Sequence, residues 1–149
     1  MSAEGGAALI EFAIVLPLML LILFGMIDFG LFFQRYQVVT NAAREGARIA
    51  VLPGYGDDDV VLRVTQFLTA AGLTEALLSS PTPVRTCEAL PSGQWISVVS
   101  VTVEYPYSYS AIGTFVTYFG EAAFSRNSVK ATALMRSELA ADDEMCEGS

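Results

Sequence analysis

The sequence contains no histidine and only two cysteines among its 149 residues. Histidine is the commonest general base and the commonest metal ligand, so its absence removes the usual basis for catalysis and metal binding. Two cysteines alone do not complete a zinc site. No G-x-S-x-G motif, Cys–His pair or metal-ligand spacing occurs either. The sequence therefore predicts a protein that is not an enzyme and that has no cofactor, metal or small-molecule substrate.

Charged residues are scarce, and basic residues are the scarcest. Charged side chains make up 16% of the chain, against about a quarter in a soluble domain, and the mean hydropathy is +0.49. Eight Lys and Arg stand against 16 Asp and Glu, which gives a net charge of −8. Nucleic-acid binding depends on clustered Lys and Arg, so this balance argues against a nucleic-acid partner. The low charge content indicates that much of the chain lies outside water.

The apolar residues are concentrated near the N-terminus. Between Ala7 and Phe33 the only ionisable side chains are those of Glu11 and Asp28. The 22 residues 12–33 would form a helix of roughly 33 Å, about the thickness of a bilayer core. We therefore predict a membrane-spanning helix, with its transmembrane segment at about 12–33.

Two alternatives to a membrane helix are weaker. A buried core helix would have to be enclosed by the 96 residues of 54–149, which can hardly surround so long an apolar rod. A cleaved secretory signal normally begins with basic residues and has a shorter apolar core. Residues 1–6 contain no Lys or Arg, so that interpretation is disfavoured.

The predicted helix continues past the membrane segment. Residues 34–51 contain no proline, and Pro53-Gly54 then provides a stop signal. We predict one long helix over about Ala7–Leu52, within an N-terminal unit of residues 7–53. Its second half carries a face of small or apolar residues, which lets neighbouring elements approach closely. That face consists of Val39, Ala42, Ala43, Gly46, Ala47 and Ala50.

Residues 54–149 are predicted to form a small α+β head. Val60–Ala71 has helical apolar spacing, and the three aspartates before it suit helix capping better than calcium binding. Residues 95–105 and 128–136 alternate between apolar and polar side chains, as strands do. The segment 81–91 is punctuated by proline and allows at most a short strand.

The predicted fold class is therefore α+β. A long N-terminal membrane-spanning helix is followed by a small head, in which one or two helices pack on an antiparallel sheet. A short helix is expected around Gly113–Phe119. On the outer face of the sheet we expect Glu104 opposite Lys130 or Arg136, and we interpret the aromatic residues of 105–124 as core filling.

The N-terminal run 5–53 also contains a series of short motifs. These are Glu11-Phe12 early in the apolar run, Leu16-Pro17, Gly25-x-x-Asp28-x-Gly30, and Asn41-Ala42-Ala43-Arg44-Glu45-Gly46-Ala47-Arg48. With them the segment resembles the TadE-like family of tight-adherence (Flp, type IV-like) pilus assembly proteins. The resemblance implies a minor pilin or pseudopilin.

The resemblance implies processing by a prepilin peptidase, which cuts after a glycine and leaves Glu as the fifth residue of the mature chain. A cut after Gly6 makes Ala7 the new N-terminus and Glu11 the fifth residue, so residues 1–6 form the leader. A carboxylate in an apolar run is costly, by about 2.5–3.5 kcal/mol at a helix centre and less near its edge. We therefore expect Glu11 to pair with the Ala7 amine of a neighbouring subunit during assembly. The alternative is an interfacial Glu11 that reaches headgroup water.

A second ionisable pair lies near the far end of the membrane segment. Asp28 is close to that end, and Arg35 follows two turns later on the same face. We interpret Asp28 as an interfacial residue that is either paired with Arg35 or solvated.

The resemblance also implies location and partners. We expect a single-pass protein of the inner (cytoplasmic) membrane, with a cytoplasmic N-terminus and an extracytoplasmic head. Its expected partners are other pilin subunits, the pilus assembly platform and the prepilin peptidase. Arg35, Arg44 and Arg48 follow the membrane segment, and by the positive-inside rule they favour the opposite orientation.

Cys87 and Cys146 both lie in the region assigned to the extracytoplasmic head. Two cysteines in such a compartment usually pair, so we predict a disulfide between them; two independent thiols are the alternative.

A different function also fits the sequence. The chain would then be a signal-anchored extracytoplasmic binding or sensor domain outside any filament, with the aromatic segment 105–124 as its site.

Overall fold

The computed structural model describes residues 3–75, 77–89, 91, 95–109, 113 and 127–137. Within these residues two helices precede three strands, which together form an α+β fold with a small head, as predicted. The predicted short helix around Gly113–Phe119, apart from Gly113, and the C-terminal tail 138–149 lie outside the described residues. The elements are α1 (Ala3–Ala50), α2 (Asp57–Ala70), β1 (Val84–Ala89), β2 (Trp95–Tyr107) and β3 (Asn127–Arg136).

α1 is one continuous helix of 48 residues, about 72 Å long at 1.5 Å per residue. Pro17 lies inside it. The helix ends at Ala50, two residues before the predicted limit, where the amide of Leu52 bonds the carbonyl of Ile49 at 3.0 Å. Gly54 then takes a positive φ of 86°, which a glycine adopts without steric cost and which reverses the chain.

α2 follows as the predicted second helix. Its N-cap is Gly56, whose backbone N–H donates to the Asp59 carboxylate at 2.8 Å. The acidic side chains of its first turn also stabilise the helix, because they lie at the positive end of the helix dipole. At the other end Gly72 has a φ of 81°, and the amide of Leu73 bonds the carbonyl of Leu68 at 2.9 Å. The capping role predicted for the aspartates is therefore carried by Asp59.

The three strands form one sheet in the order β1-β2-β3. β1 and β2 are antiparallel, with a register that runs from Val84 opposite Ser100 to Ala89 opposite Trp95. β1 occupies the punctuated segment where at most a short strand was predicted, and it has six residues.

Two contacts define how β2 and β3 are aligned. The amide of Ser137 donates to the carbonyl of Ser97 at 2.9 Å, and the hydroxyls of Thr102 and Thr132 are 2.8 Å apart. Both contacts fit the same antiparallel register. In that register Glu104 lies opposite Lys130, one of the two partners predicted for it.

The chain divides into two compact units. One comprises residues 1–34 and 107–127, and the other comprises residues 35–106 and 128–149. The second unit therefore contains the last sixteen residues of α1 as well as α2 and almost all of the sheet. The distal half of the long helix is thus a structural part of the head.

The core of this second unit is built from four apolar faces. Residues of β2 and β3 are buried alternately, as the predicted alternation of apolar and polar side chains requires. Tyr105 is also buried, and its hydroxyl accepts a hydrogen bond from the amide of Glu75 at 3.1 Å. The buried apolar residues of the helices are Val39, Ala42, Ala43, Ala47, Ala50, Val60, Val64 and Leu68.

Gly46 marks the tightest approach in this core. A Cβ at this position would lie 2.7 Å from Cγ2 of Val64 and 3.2 Å from Cγ1 of Val101. The glycine therefore lets α1 contact α2 and β2 at the same point. The face of small residues predicted on α1 packs inside the head.

Candidate functional site

The N-terminal turns of α1 contain the residues predicted to be processed. Gly6 is exposed, and a Cβ at this position would meet no atom within 4 Å. Glu11 is exposed too, and its carboxylate forms no ion pair with any side chain in the described part of the chain. Both residues are therefore accessible on the surface of α1. Cleavage after Gly6 and pairing of Glu11 with the Ala7 amine stay predictions.

The apolar surface of α1 is exposed along most of its first half. An 18-residue stretch of this helix has a mean hydropathy of 2.6, and none of the residues in that stretch is buried inside the protein. The core helix of a soluble protein would hide such a surface. By length and composition this helix fits a membrane anchor. Its exposed large residues include Leu9, Ile10, Ile14, Leu18, Met19, Met26 and Phe29.

Among the described side chains of residues 6–34, that of Asp28 alone is buried. The residue is 1% exposed, so it is buried and not solvated. Tyr107, from the end of β2, donates its hydroxyl to the backbone carbonyl of Asp28 at 3.0 Å. Phe24 and Phe32, one turn before and one turn after, are half-buried on the same face. The predicted pair between Asp28 and Arg35 stays a prediction.

An aromatic cluster lies next to the hydrogen bond between Tyr107 and Asp28. The ring of Tyr107 meets those of Phe32 and Tyr109 edge-to-face, with centroids 5.3 Å and 5.0 Å apart. Phe33 meets Phe29 and Phe32 in the same way, at 4.7 Å and 6.2 Å. Edge-to-face pairs of this kind contribute about 0.5–1.5 kcal/mol each beyond their burial. We call these five residues, Phe29, Phe32, Phe33, Tyr107 and Tyr109, the aromatic cluster.

The sequence indicated only part of this arrangement. Tyr105 and Tyr107 are buried, as the core-filling interpretation of the aromatic segment predicted. The contact of Tyr107 with Asp28 was not foreseen, because 79 positions separate the two residues. The only local signal was a second tyrosine at alternate spacing after the valine-rich strand, which places Tyr107 on the inward face of β2.

A charged contact joins the two helices of the second unit. Nη2 and Nε of Arg63 lie 2.6 Å and 3.1 Å from Oε1 of Glu45, and Arg48 is 3.6 Å from the same carboxylate. The hydrogen bond from Arg63 lowers the pKa of Glu45 below its ordinary 4.5, and the charges of Arg48 and Arg63 act in the same direction against partial desolvation. The group is partly exposed, so this contact adds at most about 1 kcal/mol to stability.

The acidic start of α2 is used structurally. Asp57 forms an ion pair with Arg85 of β1 at 3.1 Å, while Asp59 caps the helix. Within the described ranges no group of three or more His, Cys, Asp or Glu side chains is placed to hold a metal ion.

Cys87 lies on β1, is half-buried and is disulfide-bonded. Its predicted partner, Cys146, lies outside the described residues. The pairing of these two residues stays a prediction.

Comparison with known proteins gives one match. The family of TadE-like proteins matches residues 6–48. No curated protein and no solved structure gives a significant match. The matched segment begins at Gly6, contains the whole exposed apolar part of α1 and ends two residues after Gly46. Residues 6–48 thus carry the TadE-like pattern that the sequence motifs indicated, and this family implies a protein associated with the Tad pilus.

Proposed function

We propose that this protein is a membrane-anchored minor pilin or pseudopilin of a Tad-type pilus. It contributes to assembly, initiation or the tip of the filament, and through the filament to surface adhesion. In this proposal its role is structural and it catalyses no reaction. The observation that carries the proposal is that the family match overlies one unbroken helix with two different surfaces.

The division of that helix supports an anchor joined to a head. Its first half exposes large apolar side chains, which need lipid or the helices of other subunits around them. Its second half is buried against α2 and the sheet.

The size of the head favours a minor subunit. By the family resemblance, major subunits of this pilus type are very short chains dominated by the helix. Here 96 residues follow position 53, and they form α2 and a three-stranded sheet. We place the head outside the cytoplasm and the anchor in the inner membrane.

The exposed N-terminal turns support processing and recruitment. Gly6 has no side chain and open space around it, which suits entry into a narrow protease cleft. Glu11 has no ion pair among the described residues, and a carboxylate in apolar surroundings needs a positive partner. The Ala7 amine that cleavage would create on a neighbouring subunit is such a partner. This pairing would also set the axial register between subunits.

The proposal is tested on the protein extracted from its native membrane. An N-terminal mass shows whether the chain begins at Ala7, and shearing of surface filaments shows whether the protein co-purifies with pili. We expect both. Gly6→Leu should block cleavage, whereas Gly30→Leu, another open glycine on α1, should leave cleavage unchanged.

Variants of Glu11 test the pairing itself. Glu11→Ala should be cleaved and inserted normally but lost from sheared pili, and Glu11→Gln should be lost as well if the charge is what matters. A Glu11→Ala chain that is recruited like the parent contradicts the pairing. An uncut chain absent from pili contradicts the proposal and favours a signal-anchored binding domain.

A further inference from the structure

The aromatic cluster lies at a particular level of α1. Tyr107 bonds the carbonyl of Asp28, which is five residues before the end of the apolar segment at Phe33. Five residues correspond to about 7.5 Å along a helix. Any side chain in contact with Asp28 therefore lies beside the apolar segment and not beyond its end.

Tyr107 and Tyr109 belong to the same compact unit as this part of the helix. That unit comprises residues 1–34 and 107–127. The tyrosine rings contact each other and Phe32 edge-to-face. If the apolar segment 12–33 spans a membrane, Tyr107 and Tyr109 reach the depth of the last two turns of that segment.

We propose that Tyr107 and Tyr109 lie in the interfacial layer of the membrane, where lipid headgroups meet the acyl chains. Tyr107 is buried, so the side chains that contact lipid in this layer are those of Tyr109, Phe29 and Phe33. The inference rests on the proposed membrane anchor and adds a second element of the chain that enters the bilayer.

The chemistry of the surrounding residues suits that layer. Tyrosine has an apolar ring and a polar hydroxyl, and it is enriched where membranes meet water. Phe29 and Phe33 of the same cluster are exposed and continue the apolar surface around the helix. The 14 residues 107–120 contain no charged side chain. Placing this part of the sequence in contact with lipid therefore carries no cost of removing a charge from water.

Asp28 adds no exposed carboxylate to the helix at this depth. Asp28 is the only ionisable residue between Phe12 and Phe33, and its side chain is almost fully covered by protein. The surface that the helix offers to lipid at this depth is therefore uncharged. At the same level of the helix, Tyr107 donates its hydroxyl to the backbone carbonyl of Asp28.

The depth of Tyr109 can be measured in the full-length protein reconstituted into phosphatidylcholine vesicles. The chain contains a single tryptophan, Trp95, in the second compact unit. A Tyr109→Trp variant in a Trp95→Phe background places one fluorophore in the aromatic cluster. Lipids brominated near the headgroup, or near the ends of the acyl chains, then report its depth through quenching.

Two reference proteins separate this inference from the proposed anchor. Met26→Trp in the same background places the fluorophore on the exposed face of α1, and the parent chain reports Trp95 itself. We expect Met26→Trp to be quenched strongly by bromines within the acyl chains. We expect Tyr109→Trp to be quenched most by bromines near the headgroup, and several-fold more than Trp95.

The other outcomes are decisive. If Met26→Trp is quenched but Tyr109→Trp behaves like Trp95, the anchor stands and the inference is wrong. If Met26→Trp is not quenched, both the anchor and the inference are wrong. If Tyr109→Trp is shielded from lipid but can be crosslinked to a second copy of the chain, the surface binds protein and the lipid contact is wrong.

Discussion

The two halves of α1 share a backbone conformation but have opposite surfaces. Before residue 34, large apolar side chains are exposed, with Ile14 at 73% and Met26 at 69%. From Val39 onward, mostly alanines and a glycine face the core, and the alanines are at most 6% exposed. The first half exposes large apolar side chains, whereas the second half is covered on one side by α2 and the sheet.

The difference shows how one helix serves two surroundings. An α-helix satisfies its own backbone hydrogen bonds, so it is stable in lipid and in a protein core alike. Side-chain size then decides the partner. Large apolar residues suit fluid lipid, and small residues such as Gly46 allow protein elements to approach within van der Waals contact. Changes in the head and in the two halves of α1 test this difference. They follow from the largest expected effect to the smallest.

The largest effect is expected from a charge in the head core. Val101 is fully buried on the inner face of β2, so Val101→Asp should destabilise the head by about 3 kcal/mol or more and unfold it. Thr102→Asp is the control, since Thr102 is on the outer face and loses one hydrogen bond to Thr132, worth about 1 kcal/mol. Near-UV circular dichroism and limited proteolysis report the fold of the head. Equal damage from both substitutions would contradict the assigned faces of β2.

The predicted disulfide should stabilise the second compact unit alone. Linking Cys87 to Cys146 closes a loop of about 60 residues, for which the chain-entropy model gives up to about 4 kcal/mol. Peptide mapping under non-reducing conditions should recover the two cysteines in one linked pair. Reduction should lower the melting temperature of the head and leave the helicity of the membrane anchor unchanged. Two thiols open to alkylation in protein from its native envelope would contradict the pairing and the outward orientation.

A pair of glycines tests the two halves directly. A methyl group at Gly46 would clash with Val64 and Val101, so Gly46→Ala should destabilise the head by about 1–3 kcal/mol, less the roughly 1 kcal/mol that alanine gains in helix propensity. At Gly30 a methyl group meets nothing, so Gly30→Ala should cost nothing. Thermal unfolding in detergent compares the variants. A Gly46→Ala protein as stable as the Gly30→Ala protein would show that the close approach is not needed.

The smallest effect concerns the ion pair between Glu45 and Arg63. The pKa of Glu45 is lower in the folded protein than its ordinary 4.5, so the pair stabilises the head above that pH. The stabilisation is lost as the pH falls through the lowered pKa, and it amounts to no more than about 1 kcal/mol at an exposed site. Urea midpoints of the parent and of Glu45→Gln should differ near neutral pH and converge in acid. A difference that persists in acid would exclude the ion pair as its cause.

Local periodicity was enough to predict most of the secondary structure. The apolar run and the missing proline after it specified α1, the three- and four-residue spacing specified α2, and strict alternation specified β2 and β3. β1 was hard to predict because prolines flank it and its six residues are too few for a clear alternation. Its strand conformation depends on the hydrogen bonds that β2 offers along their antiparallel register.

The residues of the candidate sites also divide into those that the local sequence predicts and those that it does not. Gly6 and Glu11 were found from a linear motif, and the structure adds that both are accessible. The buried state of Asp28 and its contact with Tyr107 were not predictable, because no helical or strand spacing connects the two residues. The role of Gly46 was foreseen only as a site of close approach, without the identity of the partner.

The sequence by itself determined where the apolar anchor begins and ends, which faces of the helices and strands are apolar, and which family the first third resembles. These properties follow from residue composition and spacing within short segments. Only the tertiary structure decided that α1 shares its core with α2 and β2 at Gly46, and that Tyr107 donates a hydrogen bond to the backbone carbonyl of Asp28. Such contacts join residues far apart in the chain, and they form because close packing and hydrogen bonding select one arrangement among many with the same local pattern.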